Sequence, residues 1–183
     1  MTEKEKMLNG ELYDATDKVL ENDRNIARKL TRQLNFSDEK EKQLRVRTLQ
    51  QLMPNSSKSS WIQPPFHCDY GYNIILGKDV FLNFNCIILD IMSVKIGDRT
   101  LIGPNVQIYA ATHPMDYKTR KKGLEAGKPV TIGQDVWIGG SAVICPGVTI
   151  GNRSVIGAGS IVTRDIPEDV LAAGNPCKII KKL

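Results

Sequence analysis

A large aliphatic residue recurs at every sixth position between Thr131 and Ile166. The six positions are Ile132, Ile138, Ile144, Ile150, Ile156 and Val162. Four of them are followed immediately by glycine, and the residue four places after each is mostly small or β-branched. A period of six fits neither an amphipathic helix, whose period is 3.6, nor a simple alternating strand. Internal repetition with this period predicts a β-helix built from hexapeptides.

Such a repeat has a simple physical explanation. Three short strands, each followed by a turn, complete one triangular coil of about 18 residues. The aliphatic side chain points to the axis, and each coil buries its inner face only against its neighbours, so several coils must stack. The same phase recurs upstream in two blocks of three aliphatics, at Leu76, Leu82 and Ile88 and at Ile96, Ile102 and Ile108. Two extra residues separate these blocks, so we expect a bulge near Ile91–Ser93.

The first part of the chain lacks this period and predicts three helices. Thr2 and Glu5 fit a capping box that opens the first helix, which Gly10 could end. Either Thr16 or Asp17 can cap the second helix. Its expected inward residues are Val19, Leu20, Ile26, Ala27, Leu30 and Leu34. For the third helix the candidate caps are Ser37 and Asp38, and the expected inward residues are Leu44, Leu49, Leu52 and Met53.

These patterns divide the chain into two expected units. Residues 1–57 form a helical segment that is too small and too charged to stand alone, so it should pack on the coil. Residues 58–183 form the β-helix domain. Its period is broken by an inserted loop at 114–130 and ends before a tail at 167–183, expected to fold back as a turn and a short helix or strand. A long insertion in a regular scaffold is more often functional than accidental.

The composition argues against several classes of partner. The net charge is +5, aromatic residues make up 6%, and no single basic block dominates, so we expect no nucleic-acid binding. The four cysteines form no C-x-x-C pair, which fits reduced thiols. No apolar run approaches the roughly 20 residues of a membrane span, and the charged start is unlike a signal peptide. The sequence therefore predicts a cytoplasmic protein without membrane contacts.

The chain contains only two histidines, His67 and His113. His113 ends a repeat beside the long loop, where a side chain can face a cleft between neighbouring subunits. Histidine is the side chain that most often accepts a proton at cellular pH, so His113 is a candidate general base. A surface residue without function is the alternative. His67 lies in the irregular first coil, where a packing role is expected.

Two short motifs resemble the maltose and galactoside O-acetyltransferases. The run Ala111-Thr112-His113-Pro114 resembles their catalytic motif, and Gly10-Glu11-Leu12-Tyr13 resembles their helical N-terminal segment. The run from Cys68 to Asn73 is more similar to the maltose type. Together with the repeats, the resemblance spans essentially the whole chain. It implies a mainly β fold, a left-handed parallel β-helix, and acetyl-CoA-dependent transfer of acetyl to a hydroxyl of a sugar such as maltose or glucose.

The resemblance also implies roles for individual residues. His113 would deprotonate the acceptor hydroxyl, and the Gly140 amide would lie nearest the thioester. For Gly139 we expect only the role in the repeat that its position beside Ile138 gives it. The expected sugar contacts are Asp14, Asp69, Asn83 and Asp90. Asp17 is the alternative to Asp14, because position 15 is alanine, and capping of a coil turn is the alternative role of Asp90. The expected coenzyme A contacts are Asn83, Gly140, Ala158, Thr163, Arg164, Lys178 and Lys181.

The family's assembly is a homotrimer with active sites at the subunit interfaces, and no metal is required. Outward apolar residues at Val143, Val155 and Ile161 need covering, which a trimer would supply. Trp137 points outward at a face edge and could line the cofactor groove or a subunit contact.

Three other interpretations stay open. The chain could acetylate another acceptor, such as a galactoside, serine, an amino sugar or an antibiotic. It could be a zinc hydratase on the same scaffold, although that site needs three imidazoles. It could also be a non-catalytic β-helix scaffold.

Overall fold

A triangular coil with one parallel sheet on each of its three faces makes up most of the chain in the computed structural model, which describes residues 1–183. Face 1 contains six parallel strands: β2 (Trp61–Ile62), β5 (Phe81–Leu82), β8 (Leu101–Ile102), β13 (Trp137–Ile138), β16 (Val155–Ile156) and β18 (Val170–Ala173). Face 2 contains β3 (Phe66–Cys68), β6 (Cys86–Leu89), β9 (Gln107–Tyr109), β14 (Val143–Ile144) and β17 (Ile161–Val162). Face 3 contains β4 (Ile74–Leu76), β7 (Val94–Ile96), β12 (Val130–Ile132) and β15 (Thr149–Ile150).

The strand register confirms the repeat. Ile132 pairs with Ile150, 18 residues later, as a coil of three hexapeptides requires. The six aliphatics of the main repeat are at most 1% exposed and stack along the axis within one core. In the early coils the offset is 20 residues, as between Leu82 and Ile102. The expected bulge falls between the end of β6 at Leu89 and the start of β7 at Val94, where the two additional residues widen the corner.

The N-terminal segment packs three helices, α1 (Glu3–Leu8), α2 (Lys18–Asn35) and α3 (Lys42–Leu52), and one short strand, β1 (Tyr13–Asp14). The predicted capping box of Thr2 and Glu5 is present, and Asp17 caps α2 through the N–H groups of Val19 and Leu20. At the far end of α2 the side-chain amide of Asn35 donates to the Phe66 carbonyl and accepts from its N–H, at 2.9 and 2.8 Å. The helices are thereby fixed to the first coil.

Some of the predicted helix details are wrong. Val19 and Ile26 are 56% and 53% exposed, because α2 touches the coil only through a narrow stripe whose buried members are Leu20, Ala27, Thr31 and Leu34. Each of the two exposed residues precedes a buried one by a single step, which is roughly 100° around a helix. Neither predicted residue caps α3: Glu41 stands at the cap position and forms no side-chain bond to the helix, and Asp38 accepts the Lys40 N–H. Leu44 is only half-buried.

The insertion and the tail are both ordered. β10 (Ala111–Thr112) leads into the insertion, which contains α4 (Tyr117–Arg120) and β11 (Leu124–Gly127). It ends one residue earlier than predicted, because Val130 is buried in β12 and pairs with Val94. The tail first supplies β18 to face 1 and then folds back as β19 (Lys178–Lys182), antiparallel to β18. The strand alternative for the tail is therefore the one observed. No helix of the chain combines the length and apolar character needed to cross a membrane.

Candidate active site

A groove of about 380 Å³ lies where the edge between faces 2 and 3 meets the N-terminal segment. Its wall includes His113 just before the insertion and Glu125 within it. Asp69 and Tyr70 come from the first coil, and Arg24 and Arg28 come from α2. The groove thus joins three parts of the chain that are far apart in sequence.

A small antiparallel sheet places the insertion against the N-terminal segment. β11 pairs with β10 on one side, with Thr112 opposite Ala126, and with β1 on the other, with Tyr13 opposite Glu125. His113 follows β10 directly, so this sheet fixes where its backbone emerges.

The His113 side chain is available for chemistry. It is exposed on the groove wall and makes no hydrogen bond within the chain. Arg120 donates to the carbonyls of Pro114 and Met115 at 2.9 and 3.1 Å, which stabilises the turn after the histidine. An imidazole held on a fixed backbone and free of internal partners can accept a proton from a bound molecule.

Two carboxyl groups share the groove. The Tyr13 hydroxyl donates to Glu125 Oε2 at 2.8 Å, which orients that carboxylate. Burial raises the pKa of Asp69, and the negative charge of Glu125 raises it further, while Arg24 and Arg28 act in the opposite direction. Acidic side chains at this position suit hydroxyl donors, because ionised carboxylates only accept hydrogen bonds.

The Arg24 side chain is hydrogen-bonded to other residues of the groove wall. It donates to the Tyr70 hydroxyl at 2.8 Å and to the Ala15 carbonyl at 2.6 Å. Burial raises the pKa of the Tyr70 hydroxyl, so this phenol stays neutral as an acceptor. Sequence reasoning missed Arg24, Arg28 and Glu125. The signal for the two arginines was their i, i+4 spacing beside the buried stripe of α2, whereas no local signal marks Glu125.

The predicted sugar contact at Asp90 is contradicted by its burial, because the residue is 0% exposed. Its Oδ1 accepts the backbone N–H groups of Asp69 and Tyr70 at 3.0 and 2.9 Å, and its Oδ2 has no partner. Burial raises the pKa of this carboxyl to about 7. Capping of the coil turn, the alternative role, is what the structure shows.

The predicted N-terminal sugar contact is also not formed within the chain. Asp14 is exposed, and its Oδ1 accepts from the Thr16 N–H and hydroxyl at 2.8 and 2.7 Å. The alternative, Asp17, is occupied as the cap of α2. Their neighbours Ala15 and Thr16 line the groove instead.

The remaining predicted residues fall on different edges of the coil. Thr163 and Arg164 follow β17, on the same edge as His113. Asn83, Gly140 and Ala158 follow strands of face 1, on the edge between faces 1 and 2. Within one chain, face 2 lies between these two sets. A third pair, Lys178 and Lys181, lies on the exposed strand β19.

The edge between faces 1 and 2 carries unused backbone donors. Neither the Gly140 N–H nor the Ala158 N–H has an acceptor in the chain. On the edge between faces 3 and 1, corner amides are closed by side chains of the next coil: Asp98 accepts the Lys78 N–H at 2.8 Å, and Asn152 accepts the Gln134 N–H at 3.0 Å. The free N–H groups on the edge between faces 1 and 2 can therefore donate to an extended ligand that contains amide carbonyls.

Adjacent residues on that edge have distinct roles. The Asn83 Oδ1 accepts the Phe84 N–H at 2.8 Å, which leaves the Asn83 side-chain NH₂ free to donate. Gly139 serves the packing of coils, because a Cβ there would lie 2.5 Å from the backbone nitrogen of Ala158.

No group of three or more His, Cys, Asp or Glu side chains lies close enough to hold a metal ion.

The fold and the groove define a class, the transferases built from hexapeptide repeats. The family model described as "Bacterial transferase hexapeptide (six repeats)" matches residues 129–164, and "Hexapeptide repeat of succinyl-transferase" matches residues 73–110. A third model, "Maltose acetyltransferase hexapeptide capping motif", matches residues 6–56, which include most of the helical segment.

Curated relatives cover nearly the whole chain. It is 47% identical over 178 residues to nodulation protein L of Rhizobium meliloti, with 97% of each chain covered. It is 41% identical over 179 residues to galactoside O-acetyltransferase of Escherichia coli, which covers 98% of this chain and 88% of that protein.

Solved structures share the fold. A maltose O-acetyltransferase from Clostridium difficile superposes with a TM-score of 0.96 at 49% identity, covering 100% of this chain and 98% of that one. A galactoside acetyltransferase in complex with coenzyme A gives 0.95 at 41% identity, with 100% and 91% covered. A hexapeptide-repeat acetyltransferase from Vibrio cholerae, complexed with acetyl coenzyme A, gives 0.91 at 42%, with 100% and 99% covered. The chain belongs to the maltose and galactoside O-acetyltransferase family of hexapeptide-repeat acetyltransferases.

Proposed function

We propose that the protein transfers the acetyl group of acetyl-CoA to a hydroxyl of a sugar such as maltose or glucose, with His113 as the general base. The observation that carries the proposal is the unpartnered His113 imidazole in a groove lined by carboxylates and guanidinium groups. The relatives with sugar O-acetyltransferase activity in their names, and those solved with coenzyme A or acetyl-CoA, support it.

The reaction needs no nucleophile from the protein. Acetyl-CoA is the donor substrate and supplies a thioester with an electrophilic carbonyl carbon. His113 accepts the proton of the sugar hydroxyl as its oxygen attacks that carbon, and it returns the proton to the departing sulfur. The Gly140 N–H and the Asn83 side-chain amide donate to the carbonyl oxygen, where negative charge develops.

The chain's own groups fit the donor substrate. With the Gly140 N–H directed at the thioester, the free Ala158 N–H can pair with an amide carbonyl of the pantetheine. The phosphates need cations. Arg164, Lys178 and Lys181 are exposed at the C-terminal end of the coil, and none of them forms an ion pair within the chain. Thr163, exposed beside Arg164, can add a hydroxyl contact.

The acceptor occupies the groove. Asp69 and Glu125 accept hydrogen bonds from its hydroxyls, and Asn83 reaches it from the other edge. Asp14 and Asp90 are left out of this set, because the first is turned to Thr16 and the second is buried.

We further propose a cyclic homotrimer, located in the cytoplasm. In a ring, the edge of one copy that carries His113 faces the edge of the next that carries Asn83 and Gly140, so each interface completes one site. Face 1 supports this assembly, since its outward residues are apolar and stacked in register. They are Trp61, Phe81, Leu101, Trp137, Val155 and Leu171.

The test is thiol release from acetyl-CoA with maltose, glucose, a galactoside, serine and chloramphenicol as acceptors. We expect release that depends on a sugar and that falls about a hundredfold or more in His113→Ala, the usual effect of losing a general base. His67→Ala, which removes the only other histidine from an exposed position on face 2, is the matched control and should stay active.

The other outcomes are equally informative. Release with serine alone or with the antibiotic alone would show that the acceptor is not a sugar, while the transfer of acetyl from acetyl-CoA would stand. Full activity in His113→Ala would place the base elsewhere. A folded trimer that releases no thiol with any acceptor would favour the scaffold interpretation.

A further inference from the structure

Arg28 is the one guanidinium group of the groove that has no partner. Its side chain is exposed on the groove wall, and its guanidinium group forms no hydrogen bond or ion pair with any residue of the chain. Its neighbour one turn earlier, Arg24, uses both terminal nitrogens on Tyr70 and Ala15. Arg28 is therefore free to donate to a bound molecule, whereas Arg24 is part of the wall.

The position of Arg28 is fixed by its helix. Asp17 sets the start of α2, and the buried stripe that contains Leu20, Ala27 and Leu34 sets its rotation against the coil. Residues 24 and 28 follow Leu20 by four and eight positions, so they lie one above the other along one flank of that stripe. A side chain on such a rigid element can define a binding geometry.

Asp69 lies within electrostatic range of Arg28 in the same groove. A carboxylate only accepts hydrogen bonds and a guanidinium only donates them, whereas a hydroxyl does both. The two groups together can therefore orient a pair of adjacent hydroxyls. The two guanidinium groups and two carboxyl groups of the wall balance one another in charge, so the groove suits a neutral acceptor.

We propose that Arg28 is a specificity-determining contact for the acceptor, donating to the oxygen of a hydroxyl next to the one that binds the Asp69 carboxylate. The acceptor class is then a neutral sugar with two adjacent free hydroxyls. This inference rests on the proposed sugar acetyl transfer, and its test separates the two.

The first experiment compares Arg28→Gln with Lys29→Gln. Both variants remove one positive charge from an exposed position of α2, but Lys29 does not line the groove. We expect kcat/KM for glucose to fall roughly ten- to a hundredfold in Arg28→Gln, the range for a hydrogen bond to a charged group, with KM for acetyl-CoA unchanged. Lys29→Gln should match the wild type. Equal effects of the two variants, or none, would overturn the proposal.

The second experiment uses singly deoxygenated glucose analogues as acceptors. The wild type should lose activity on the analogue that lacks the hydroxyl contacted by Arg28, and Arg28→Gln should show no additional loss on that analogue alone. A uniform loss on glucose and every analogue would indicate a merely structural role and overturn the proposal. If Arg28→Gln melts at a lower temperature, Arg28→Lys serves in its place, since it keeps the charge and the long stem but loses the planar fork.

Different results would contradict the proposed function and the role of Arg28. A wild-type protein that releases no thiol with any sugar contradicts the proposed function itself. A wild-type protein that acetylates glucose together with an unaffected Arg28→Gln contradicts only the role of Arg28.

Discussion

The buried carboxyl group of Asp90 connects the coil to the groove. One oxygen holds the backbone of Asp69 and Tyr70, and the other has no partner, at a position with no exposure to solvent. Burial raises its pKa to about 7, well above the value of 3.8 for an unperturbed aspartate. The folded protein therefore holds this proton more tightly than the unfolded chain does. The resulting stabilisation is complete below about pH 4 and is lost as the pH rises to about 7.

Asp90→Asn should remove this pH dependence. The amide oxygen can still accept both N–H groups, and no charge forms at neutral pH. The free energy of unfolding of the variant, minus that of the wild type, should increase by roughly 2–3 kcal/mol between pH 5 and pH 8, because most of a shift of about three pKa units develops in that range. Urea titrations at the two pH values measure it. Asp98→Asn, at another corner whose side chain caps the Lys78 N–H, is the control. Parallel stability curves for wild type and Asp90→Asn would refute the assignment.

Within a single strand, substitutions at inward and outward positions should have very different effects on the free energy of unfolding. β12 offers a matched pair, because Ile132 is 1% exposed and stacks between Ile96 and Ile150, while Thr131 beside it faces solvent. Ile132→Ala should destabilise the protein by about 2–5 kcal/mol through lost burial and a cavity. Thr131→Ala should change the stability by about 0.5 kcal/mol or less. Comparable losses in chemical denaturation would show that the inward assignment is wrong.

The elements differ in how far the sequence predicts them. The coil was predictable because each hexapeptide carries its own inward aliphatic and its own corner, so a local period determines a global stack. The caps at Thr2 and Asp17 are local signals as well. The exposure of Val19 and Ile26 was not predictable, because it depends on how little of α2 touches the coil.

In the candidate site, too, some positions follow from local sequence patterns and others depend on tertiary structure. The position of His113 beside a groove was predictable from its place at the end of a repeat, whereas the position of Glu125 depends on pairing between β11 and β1, which no local pattern encodes. Asp90 was wrongly predicted as a sugar contact, because the family resemblance indicates which residue type stands at a position but not how deeply that residue is buried.

On the scale of the molecule, activity should depend on assembly. Face 1 leaves Leu101 and Trp137 49% and 57% exposed in the single chain. Leu101→Glu would place a charge in the proposed interface, so we expect monomers in place of a particle three times the chain mass of 20.4 kDa, with activity lost in parallel. Light scattering and thiol release measure both. Thr131→Glu, the same new side chain on face 3, should remain trimeric, and an active monomeric Leu101→Glu would contradict a shared site.

The three-stranded sheet that contains β1 has a consequence for the order of synthesis. Tyr13 meets its partner Glu125 across 112 residues of chain. The N-terminal helices leave the ribosome first, yet their strand has nothing to pair with until more than three coils' length of polypeptide has followed. A nascent or prematurely terminated chain that stops before Leu124 therefore has helices and early coils but no groove. The groove would appear only in chains that extend past Gly127, where β11 ends.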